Sequence, residues 1–297
     1  MEELYPGTTS GSVTTPCGVT VGYHDAGGTS EQPPVILLHG SGGRTATHFF
    51  TLFPMIASRH RVIGIDLVAY PQPGAALTLT DLVEQVVAVI DERASGLPVT
   101  LAGYSMGSCV AAAVAATHPE KVAAMALLNG WAKTDNALRL RLALWKKLHD
   151  AGDIETLAAF QLLNIYGRAY LDSIPYIGPR PYTQLEQMCI DYEVGPGSDA
   201  HMRLNATMDI SALVGHIRAR TLVIGSQNDQ LVPLEHSHEL FGAIEGACLA
   251  EIPGGHASVT ERPAHLFHLI DRFLREPKAF APGSTVGDDV VLQLNRF

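Results

Sequence analysis

The sequence has few cysteines, and none of them belongs to a redox or metal-binding motif. Its 297 residues include four, Cys17, Cys109, Cys189 and Cys248, which lie far apart and without C-x-x-C spacing. A chain of this length can bury a large core without disulfide bonds. Two disulfides are the alternative, but we expect four reduced and mostly buried thiols. No H-E-x-x-H pattern or clustered His/Asp spacing occurs either, and we expect neither a metal nor a cofactor.

Charged residues are also scarce, and acidic ones predominate. They make up 17% of the sequence, and the formal net charge is −10. Binding to nucleic acid requires clustered Lys and Arg side chains that neutralise phosphates, and the sequence contains no such cluster. We therefore expect no nucleic-acid partner. The composition does not indicate an oligomeric state.

Long apolar segments are missing as well. No apolar stretch approaches the roughly 20 residues that a membrane-spanning helix requires. The first residues, MEELYPGTTSGSV, lack the basic start and the apolar run of a secretory signal. We therefore expect no membrane contact and a cytoplasmic location. The hydrophobic residues, 46% of the total, are spread over many short runs.

Several of these short runs are rich in β-branched residues, and helical periodicity follows most of them. Continuous apolar runs predict strands that are covered on both faces, as in a parallel sheet. The predicted strands are Pro34–His39, Arg61–Leu67, Val99–Tyr104, Val122–Leu128, Thr221–Gly225 and Cys248–Ile252, and an edge hairpin is predicted from Ser12–Thr15 and Val19–His24. The predicted helices include Asp81–Arg93, Met106–His118 and the region from His256 to Arg275. This alternation predicts a doubly wound α/β fold with a mostly parallel sheet.

One long segment, from about Trp131 to Met208, interrupts the alternation with helical patterns alone. The first predicted helix has Leu138, Leu142, Trp145 and Leu148 on one face and Leu140 and Leu144 on a second, and two more are predicted at Ile154–Leu171 and Thr183–Tyr192. A helical segment inserted between strands is typical of a lid over the strand ends. A separate interaction domain is the alternative. We predict a core of residues 1–130 and 209–297 with a lid of residues 131–208.

A serine lies at the turn between a predicted strand and a predicted helix. The stretch Gly103–Gly107 (GYSMG) has G-x-S-x-G spacing and directly follows the strand Val99–Tyr104. A serine in such a turn adopts a strained backbone conformation, which the flanking glycines leave room for. Its hydroxyl then projects at the N-terminus of a helix, where the dipole favours negative charge. The motif alone would indicate a tight turn, but with its strand and helix it predicts Ser105 as a nucleophile.

A nucleophilic serine needs a base, and the base needs an orienting carboxylate. Asp229 follows the predicted strand Thr221–Gly225, and His256 follows Cys248–Ile252 on a loop with two glycines. Parallel strands end at the same edge of a sheet, so both side chains are expected beside the serine, in the chain order Ser, Asp, His. Asp66, which also ends a strand, is the rival acid.

Position along the chain selects the base among 13 histidines. His236 and His238 lie in the predicted helix after Asp229 and are expected to face solvent. Other histidines in or at the end of predicted helices are His118, His265 and His268. His256 is the histidine that follows a strand on a glycine-rich loop, which favours it as the base.

A small-residue turn, His39–Gly43 (HGSGG), follows the first central strand. Such a turn leaves backbone N–H groups able to point at a substrate oxygen, and two donors are wanted where a tetrahedral oxyanion forms. We predict the N–H groups of Ser41 and Met106 as these donors, with Gly42 as the alternative to Ser41. We expect His39 to order the turn by hydrogen bonding.

Together these stretches resemble the motifs of the α/β-hydrolase superfamily, in its lid-bearing serine hydrolase branch. The matching stretches are His39–Gly43, Gly103–Gly107, Asp229–Pro233 and Gly254–Ser258. The haloalkane dehalogenase and epoxide hydrolase branches carry aspartate where this chain has Ser105. The stretch from Asp66 to Gly74 lacks the D-x-R-G-x-G-x-S pattern that is usual in similar members, so the loop beside the site is built differently.

The motifs and the resemblance imply hydrolysis of an ester, lactone or thioester of a small-molecule acyl substrate through an acyl-Ser105 intermediate. Acyl transfer, C–C bond hydrolysis, lyase chemistry and non-catalytic ligand binding are the alternatives. Aromatic side chains of the predicted lid either line an apolar substrate pocket or pack against the core. They are Trp131, Trp145, Phe160, Tyr166, Tyr170 and Tyr176, of which Trp131, Trp145 and Tyr166 are the predicted substrate contacts.

Overall fold

The strands form one eight-stranded sheet in a computed structural model that describes residues 4–29, 33–69, 76–94, 96–174 and 197–286. The strands are β1 (Thr9–Thr14), β2 (Thr20–Ala26), β3 (Val35–Leu38), β4 (Val62–Asp66), β5 (Val99–Tyr104), β6 (Val122–Leu128), β7 (Arg220–Ser226) and β8 (Cys248–Ile252). Their order in the sheet is β1-β2-β4-β3-β5-β6-β7-β8. β2 pairs antiparallel with β1 and β4, and every other pair is parallel. The predicted mostly parallel sheet with an edge hairpin is confirmed.

Helices connect the strands. They are α1 (Thr45–His48), α2 (Leu52–Ala57), α3 (Leu79–Arg93), α4 (Met106–Thr117), α5 (Asn136–Asp150), α6 (Ile154–Ile165), α7 (Arg168–Ser173), α8 (Ser198–Ala206), α9 (Ser211–Val214), α10 (Leu234–Ala243), α11 (Ser258–Glu261) and α12 (Pro263–Arg275), with short 3₁₀ turns at Pro119–Lys121 and Pro277–Ala279. In the part of the chain that the structure describes, no helix has both the length and the apolar character needed to span a membrane.

Strands β3 to β8 are buried on both faces, which explains why they read as continuous apolar runs. In β3, Ile36 and Leu38 pack into one hydrophobic cluster, whereas Val35 and Leu37 pack into another. This division follows because successive side chains of a strand point to opposite faces. Side chains of α3 and α4 belong to the first cluster, and those of α2 and α12 belong to the second. Because helices cover both faces of the sheet, polar groups are expected at the ends of the strands.

Between β6 and β7, the described residues 129–174 and 197–219 form α5 to α9, which we call the helical insertion. Its first two helices each begin at an aspartate whose carboxylate accepts a backbone N–H, Asp135 from Leu138 and Asp153 from Thr156. The predicted helix Thr183–Tyr192 lies outside the described residues. The division into core and lid stays a prediction.

One expectation for the helical insertion is wrong. The single helix predicted over Ile154–Leu171 is interrupted, because Tyr166 has an extended backbone and the N–H of Gly167 donates to the Glu261 carboxylate at 2.9 Å. A contact with a distant segment thus overrides the local helical pattern. Leu140 and Leu144, the second apolar face of α5, are 72% and 43% exposed.

The cysteines agree only in part with the expectation of mostly buried thiols. Cys109 and Cys248 are buried and form no disulfide, whereas Cys17 is exposed. Burial raises the pKa of the Cys109 thiol to about 12, so it stays protonated at neutral pH. Cys189 lies outside the described residues.

Candidate active site

Ser105 lies at the sharp turn between β5 and α4. Its backbone has φ 55° and ψ −123°, a conformation that L-residues rarely adopt. The flanking glycines allow it: a Cβ on Gly103 would lie 2.2 Å from the carbonyl oxygen of Gly107, and a Cβ on Gly107 would lie 2.1 Å from that of Leu38. The turn therefore has the strained geometry that the G-x-S-x-G spacing predicts.

The hydroxyl of Ser105 lies next to the imidazole of His256. The Ser105 Oγ is 2.8 Å from His256 Nε2, and His256 Nδ1 is 2.7 Å from Asp229 Oδ2. The other carboxylate oxygen, Oδ1, accepts the backbone N–H groups of Leu231 and Val232 at 2.9 and 2.8 Å. A carboxylate can only accept, so Nδ1 carries the ring proton and Nε2 of the neutral ring accepts the serine hydroxyl. All three side chains are buried, and the structure brings together the three residues that the sequence singled out.

Asp66, the rival acid, has a different set of partners. Its carboxylate accepts the backbone N–H of Thr45 at 2.8 Å and lies 3.4 Å from Nε2 of His24. Burial pushes the pKa of Asp66 upward, but hydrogen bonds from His24 and Thr45 outweigh it and lower this pKa from 3.8 to about 2. Asp66 therefore ties the end of β4 to α1 and the edge hairpin, while Asp229 contacts His256.

Replacing Asp66 by asparagine should reduce stability in a pH-dependent way. A carboxylate whose pKa falls from 3.8 to about 2 on folding stabilises the protein above pH 3.8. That contribution disappears as the pH falls toward 2. We expect the melting temperature of Asp66→Asn to lie below that of the unaltered protein at neutral pH, with a difference that narrows in acid. Melting curves at a series of pH values test this, and a constant difference would contradict it.

Asn129, which sequence reasoning missed, holds the backbone around His256. It follows β6 with φ 49° and is almost fully buried. Its Nδ2 donates to the carbonyl oxygen of His256 at 2.8 Å and to Ser258 Oγ at 3.0 Å, and its Oδ1 accepts the N–H of Ser226 at 3.0 Å. The available signal was a polar residue directly after a buried strand, of a type that tolerates positive φ.

The turn after β3 is packed closely against the serine. A Cβ on Gly40 would lie 3.1 Å from the Cβ of Ser105, so a larger residue here would press on the serine. His39 holds the turn through both ring nitrogens: Nδ1 donates to the carbonyl oxygen of Gly40 at 2.7 Å, and Nε2 accepts the N–H of Leu67 at 2.9 Å. Burial lowers the pKa of His39, which favours the neutral ring. The expectation that His39 orders this turn is confirmed.

Two further imidazoles accept N–H groups of the same turn. The N–H of Gly40 donates to His48 Nδ1, and the N–H of Gly42 donates to His201 Nδ1, each at 3.0 Å. Gly42, the alternative oxyanion donor, thus already has an acceptor. Ser41 lies between these two fixed positions and lines the same cavity as Ser105.

Met106, the other predicted donor, is the first residue of α4. The first N–H groups of a helix have no acceptor within the helix, and the dipole at this end favours an anion. Met106 directly follows Ser105, so its N–H and the hydroxyl belong to the same turn. The N–H groups of Ser41 and Met106 therefore stay the predicted donors.

The solvent-facing position expected for His236 is wrong. His236 is 5% exposed, and its ring lies 3.5 Å from the carboxylate of Asp135 and 3.4 Å from that of Glu239. Asp135 caps α5, so the helical insertion covers this side of α10. His238 is about half exposed and lies 2.9 Å from Glu251, as a surface residue would. Neither histidine contacts Ser105.

A cavity of about 470 Å³ opens beside Ser105 and His256. Its apolar lining includes Phe50, Trp131, Leu138, Leu142, Trp145, Ile165, Tyr166, Met202, Leu231, Val232 and Val259, and its polar lining includes Ser41, Thr47, His48, Thr51, Gln161, Ser198, Asn205 and Thr260. Trp131, Trp145 and Tyr166 thus line this space. Phe160 packs against the core and Tyr170 stacks on Tyr166, with ring centroids 5.1 Å apart. Tyr176 lies outside the described residues.

A buried carboxylate joins the helical insertion to the loop that precedes α11. Glu261 Oε1 accepts the N–H of Gly167 at 2.9 Å and that of Gly255 at 3.1 Å. The N–H of Ala257 also donates to the carbonyl oxygen of Ile165 at 2.8 Å. A Cβ on Gly255 would lie 2.3 Å from the backbone nitrogen of Gly167, so the two chain segments are in direct backbone contact.

The part of the chain that the structure describes holds no group of three or more His, Cys, Asp or Glu side chains arranged to bind a metal ion. The polar side chains around the cavity instead carry hydroxyl, amide and imidazole groups. This set suits hydrogen bonding to an uncharged polar group of a substrate.

Comparisons with known proteins agree with the fold. A family model described as the α/β hydrolase fold matches residues 33–263. The pyrrolizixenacetamide deacetylase of Xenorhabdus hominickii is 28% identical over 246 residues, which cover 82% of this chain and 91% of that protein. Among solved structures, a thermophilic esterase from Thermogutta terrifontis has a TM-score of 0.74 and the meta-cleavage product hydrolase CumD from Pseudomonas fluorescens IP01 has 0.70.

Each of the two alignments covers 90% of this chain and 98% of the other chain. The sequence identity is 21% in both cases, which establishes the fold alone. The relatives found by sequence include proteins named as a deacetylase and as a hydrolase. Because the family model spans most of the sequence, from β3 to the start of α12, the chain belongs to the α/β hydrolase fold family.

Proposed function

We propose that this protein is a serine hydrolase that cleaves an ester, lactone or thioester bond of a medium-sized, largely apolar substrate. Ser105 is the nucleophile, His256 is the base and Asp229 orients the base. One observation carries the proposal: Asp229, His256 and Ser105 form a continuous hydrogen-bonded chain, with distances of 2.7 and 2.8 Å, at the wall of a mostly apolar cavity.

The first half of the reaction forms an acyl-enzyme. The Ser105 Oγ attacks the acyl carbon while Nε2 of His256 takes the hydroxyl proton. The carbonyl oxygen becomes an oxyanion, which accepts hydrogen bonds from the N–H groups of Ser41 and Met106. Asp229 stays ionised and stabilises the imidazolium. The tetrahedral intermediate then collapses as the imidazolium gives its proton to the leaving alcohol or thiol.

The second half releases the acid. A water molecule takes the place of the leaving group, and Nε2 of His256 removes its proton as its oxygen attacks the acyl carbon. The same two N–H groups hold the second oxyanion. When the intermediate collapses, the imidazolium returns its proton to Ser105 Oγ, so the enzyme is restored and the released acid contains one oxygen atom from water.

The character of the cavity supports a largely apolar substrate. Pockets that bind small molecules are mostly apolar, with few polar groups that set orientation. Here most of the lining of the cavity beside the serine is apolar, and the relative from X. hominickii is named as a deacetylase. We also propose that residues 131–208 form a lid over a core of residues 1–130 and 209–297. This second proposal is supported by the residues of α5, α6 and α8 that line the cavity.

Isotope transfer and active-site labelling test the function together. In H₂¹⁸O, turnover of p-nitrophenyl esters of graded chain length should place one ¹⁸O atom in each released acid. A fluorophosphonate should transfer its phosphonyl group to the Ser105 Oγ as fluoride and the hydroxyl proton leave, and the intact mass should rise accordingly, with no adduct on Ser105→Ala. Product without ¹⁸O would indicate transfer to another acceptor. If no ester of any length turns over and the serine is not labelled, the proposed function is wrong.

A further inference from the structure

Two side chains of α8, in the helical insertion, form hydrogen bonds with the turn after β3. His201 Nδ1 accepts the N–H of Gly42 at 3.0 Å, and Asn205 Nδ2 donates to Ser41 Oγ at 2.6 Å. His201 and Asn205 lie one helical turn apart, so they project from the same face of α8. They are 2% and 5% exposed, respectively. Two adjacent residues of the turn are therefore held by one helix.

The turn has little stiffness of its own. Gly40, Gly42 and Gly43 give it wide conformational freedom, and Gly42 has φ 68°. One backbone hydrogen bond closes it, from the N–H of Gly43 to the carbonyl oxygen of Gly40 at 3.2 Å. Contacts from outside the turn, those of His201 and Asn205 among them, therefore add to the bonds of His39 in fixing the position of Ser41.

The His201 contact persists over the pH range in which such an enzyme would work. Burial and the nearby His39 lower the pKa of His201 to about 3, so the ring is neutral at higher pH. A neutral imidazole with Nδ1 as acceptor carries its proton on Nε2. The hydrogen bond from Gly42 is thus available at neutral pH.

A hydrogen bond to its backbone carbonyl oxygen also holds Asn205 in place. The Thr134 hydroxyl donates to the backbone carbonyl oxygen of Asn205 at 2.6 Å, and the indole N–H of Trp131 donates to that hydroxyl at 2.9 Å. Thr134 lies shortly after β6, so the C-terminal end of α8 is tied to the start of the helical insertion. Asn205, which bonds to Ser41, is therefore linked through Thr134 to the end of β6.

We propose that His201 and Asn205 are positioning residues that hold the N–H of Ser41 in the orientation in which it donates to the oxyanion. The inference rests on the proposed function, because it assigns a role to a donor of that reaction. It predicts that removing either contact weakens binding of the transition state more than binding of the substrate. The helical insertion then completes the catalytic machinery in addition to lining the cavity.

His201→Ala and His201→Asn form the matched pair. The amide oxygen of asparagine can reach the place of Nδ1 and accept from Gly42, whereas alanine cannot. Complete loss of an oxyanion donor lowers the rate by about 10²–10³, and a misplaced donor loses part of that, so we expect kcat of His201→Ala to fall by about 10–100-fold. KM should change by less than about threefold, since uniform binding is unaffected. His201→Asn should recover most of kcat.

Binding of phenylboronic acid separates positioning from packing. A boronate adduct on Ser105 is tetrahedral and places an oxygen where the oxyanion forms, so it reports on the donors directly. Its affinity should fall in His201→Ala by the same factor as kcat/KM. Arg203→Ala is the control on α8, because the side chain of Arg203 is 67% exposed and should affect neither quantity.

A double-variant cycle tests whether both residues hold the same turn. If they do, His201→Ala combined with Asn205→Ala should lose less activity than the product of the two single losses. Independent, multiplicative losses would show that the two contacts serve separate purposes and would overturn the shared role. Should His201→Ala fail to fold by circular dichroism, Asn205→Ala alone tests the same hold.

Amide hydrogen exchange at Gly42 keeps this inference separate from the proposed function. Exchange in the protein without substrate should be faster in His201→Ala than in Arg203→Ala, whatever the reaction is. If the unaltered protein hydrolyses esters but His201→Ala keeps its kcat, boronate affinity and Gly42 protection, the positioning role is overturned and the function stands. If the unaltered protein neither turns over esters nor reacts with the fluorophosphonate, the proposed function is wrong. Unchanged exchange of the Gly42 amide in His201→Ala would then show that the positioning role is wrong as well.

Discussion

His256→Ala should lower kcat by a factor on the order of 10⁴–10⁶ while the protein stays folded. The Ser105 hydroxyl donates to His256 Nε2 at 2.8 Å, and no other ring nitrogen is hydrogen-bonded to this hydroxyl among the described residues. Without the imidazole, the serine proton has no acceptor and the leaving group has no acid. Steady-state kinetics with the best p-nitrophenyl ester measure the loss, and circular dichroism measures the fold.

His238→Ala is the matched control, because that side chain is about half exposed and bonds to Glu251. It should keep the kcat of the unaltered protein. Ser105→Ala and the double variant with His256→Ala should each lose about as much as His256→Ala alone, since the two groups act as one unit. A residual kcat within tenfold of the unaltered enzyme would exclude His256 as the base.

Asp229→Asn should lower kcat by about 10⁴ with little change in structure. The N–H groups of Leu231 and Val232 donate to Oδ1, so they select the amide oxygen of asparagine for that position. The amide NH₂ then faces His256 Nδ1, which must accept a hydrogen bond instead of donating one. The ring proton moves to Nε2, and the imidazole can no longer take the proton of Ser105.

The comparison with Asp66→Asn makes this prediction specific. Asp66 ends β4, which β3, β5 and β6 separate from β7 in the sheet, and its partners are Thr45 and His24. Its replacement should reduce stability above pH 3.8 and leave kcat near that of the unaltered protein. The tautomer in Asp229→Asn can be read from the ¹⁵N shifts of His256, and a proton still on Nδ1 would contradict the mechanism.

The sequence predicted the sheet and the three central residues because both leave local patterns. Strands buried on two faces read as continuous apolar runs, and β5, β6 and β8 have the predicted bounds. The side chains of Ser105, Asp229 and His256 follow the ends of parallel strands, and parallel strands end at one edge of the sheet. Asn129 follows the same rule and was overlooked because no motif draws attention to it.

What the sequence did not predict depends on contacts between distant segments. The break after α6 requires Glu261, which lies far along the chain and accepts the N–H of Gly167. The burial of His236 requires α5 to lie over α10, and no periodicity reports that. The contacts of His201 and Asn205 with the turn after β3 join residues about 160 positions apart, as their sequence separations of 159 and 164 show.

The junction of Gly167, Gly255 and Glu261 limits how a relative's insertion could be exchanged into this protein. A foreign segment would have to present a glycine to Gly255, because a side chain at position 167 would collide with backbone 2.8 Å away. It would also have to offer an N–H to Glu261, or leave that buried carboxylate with fewer hydrogen bonds. Exchanges confined to α5 leave this junction intact. Engineering of substrate range should therefore begin with Leu138, Leu142 and Trp145.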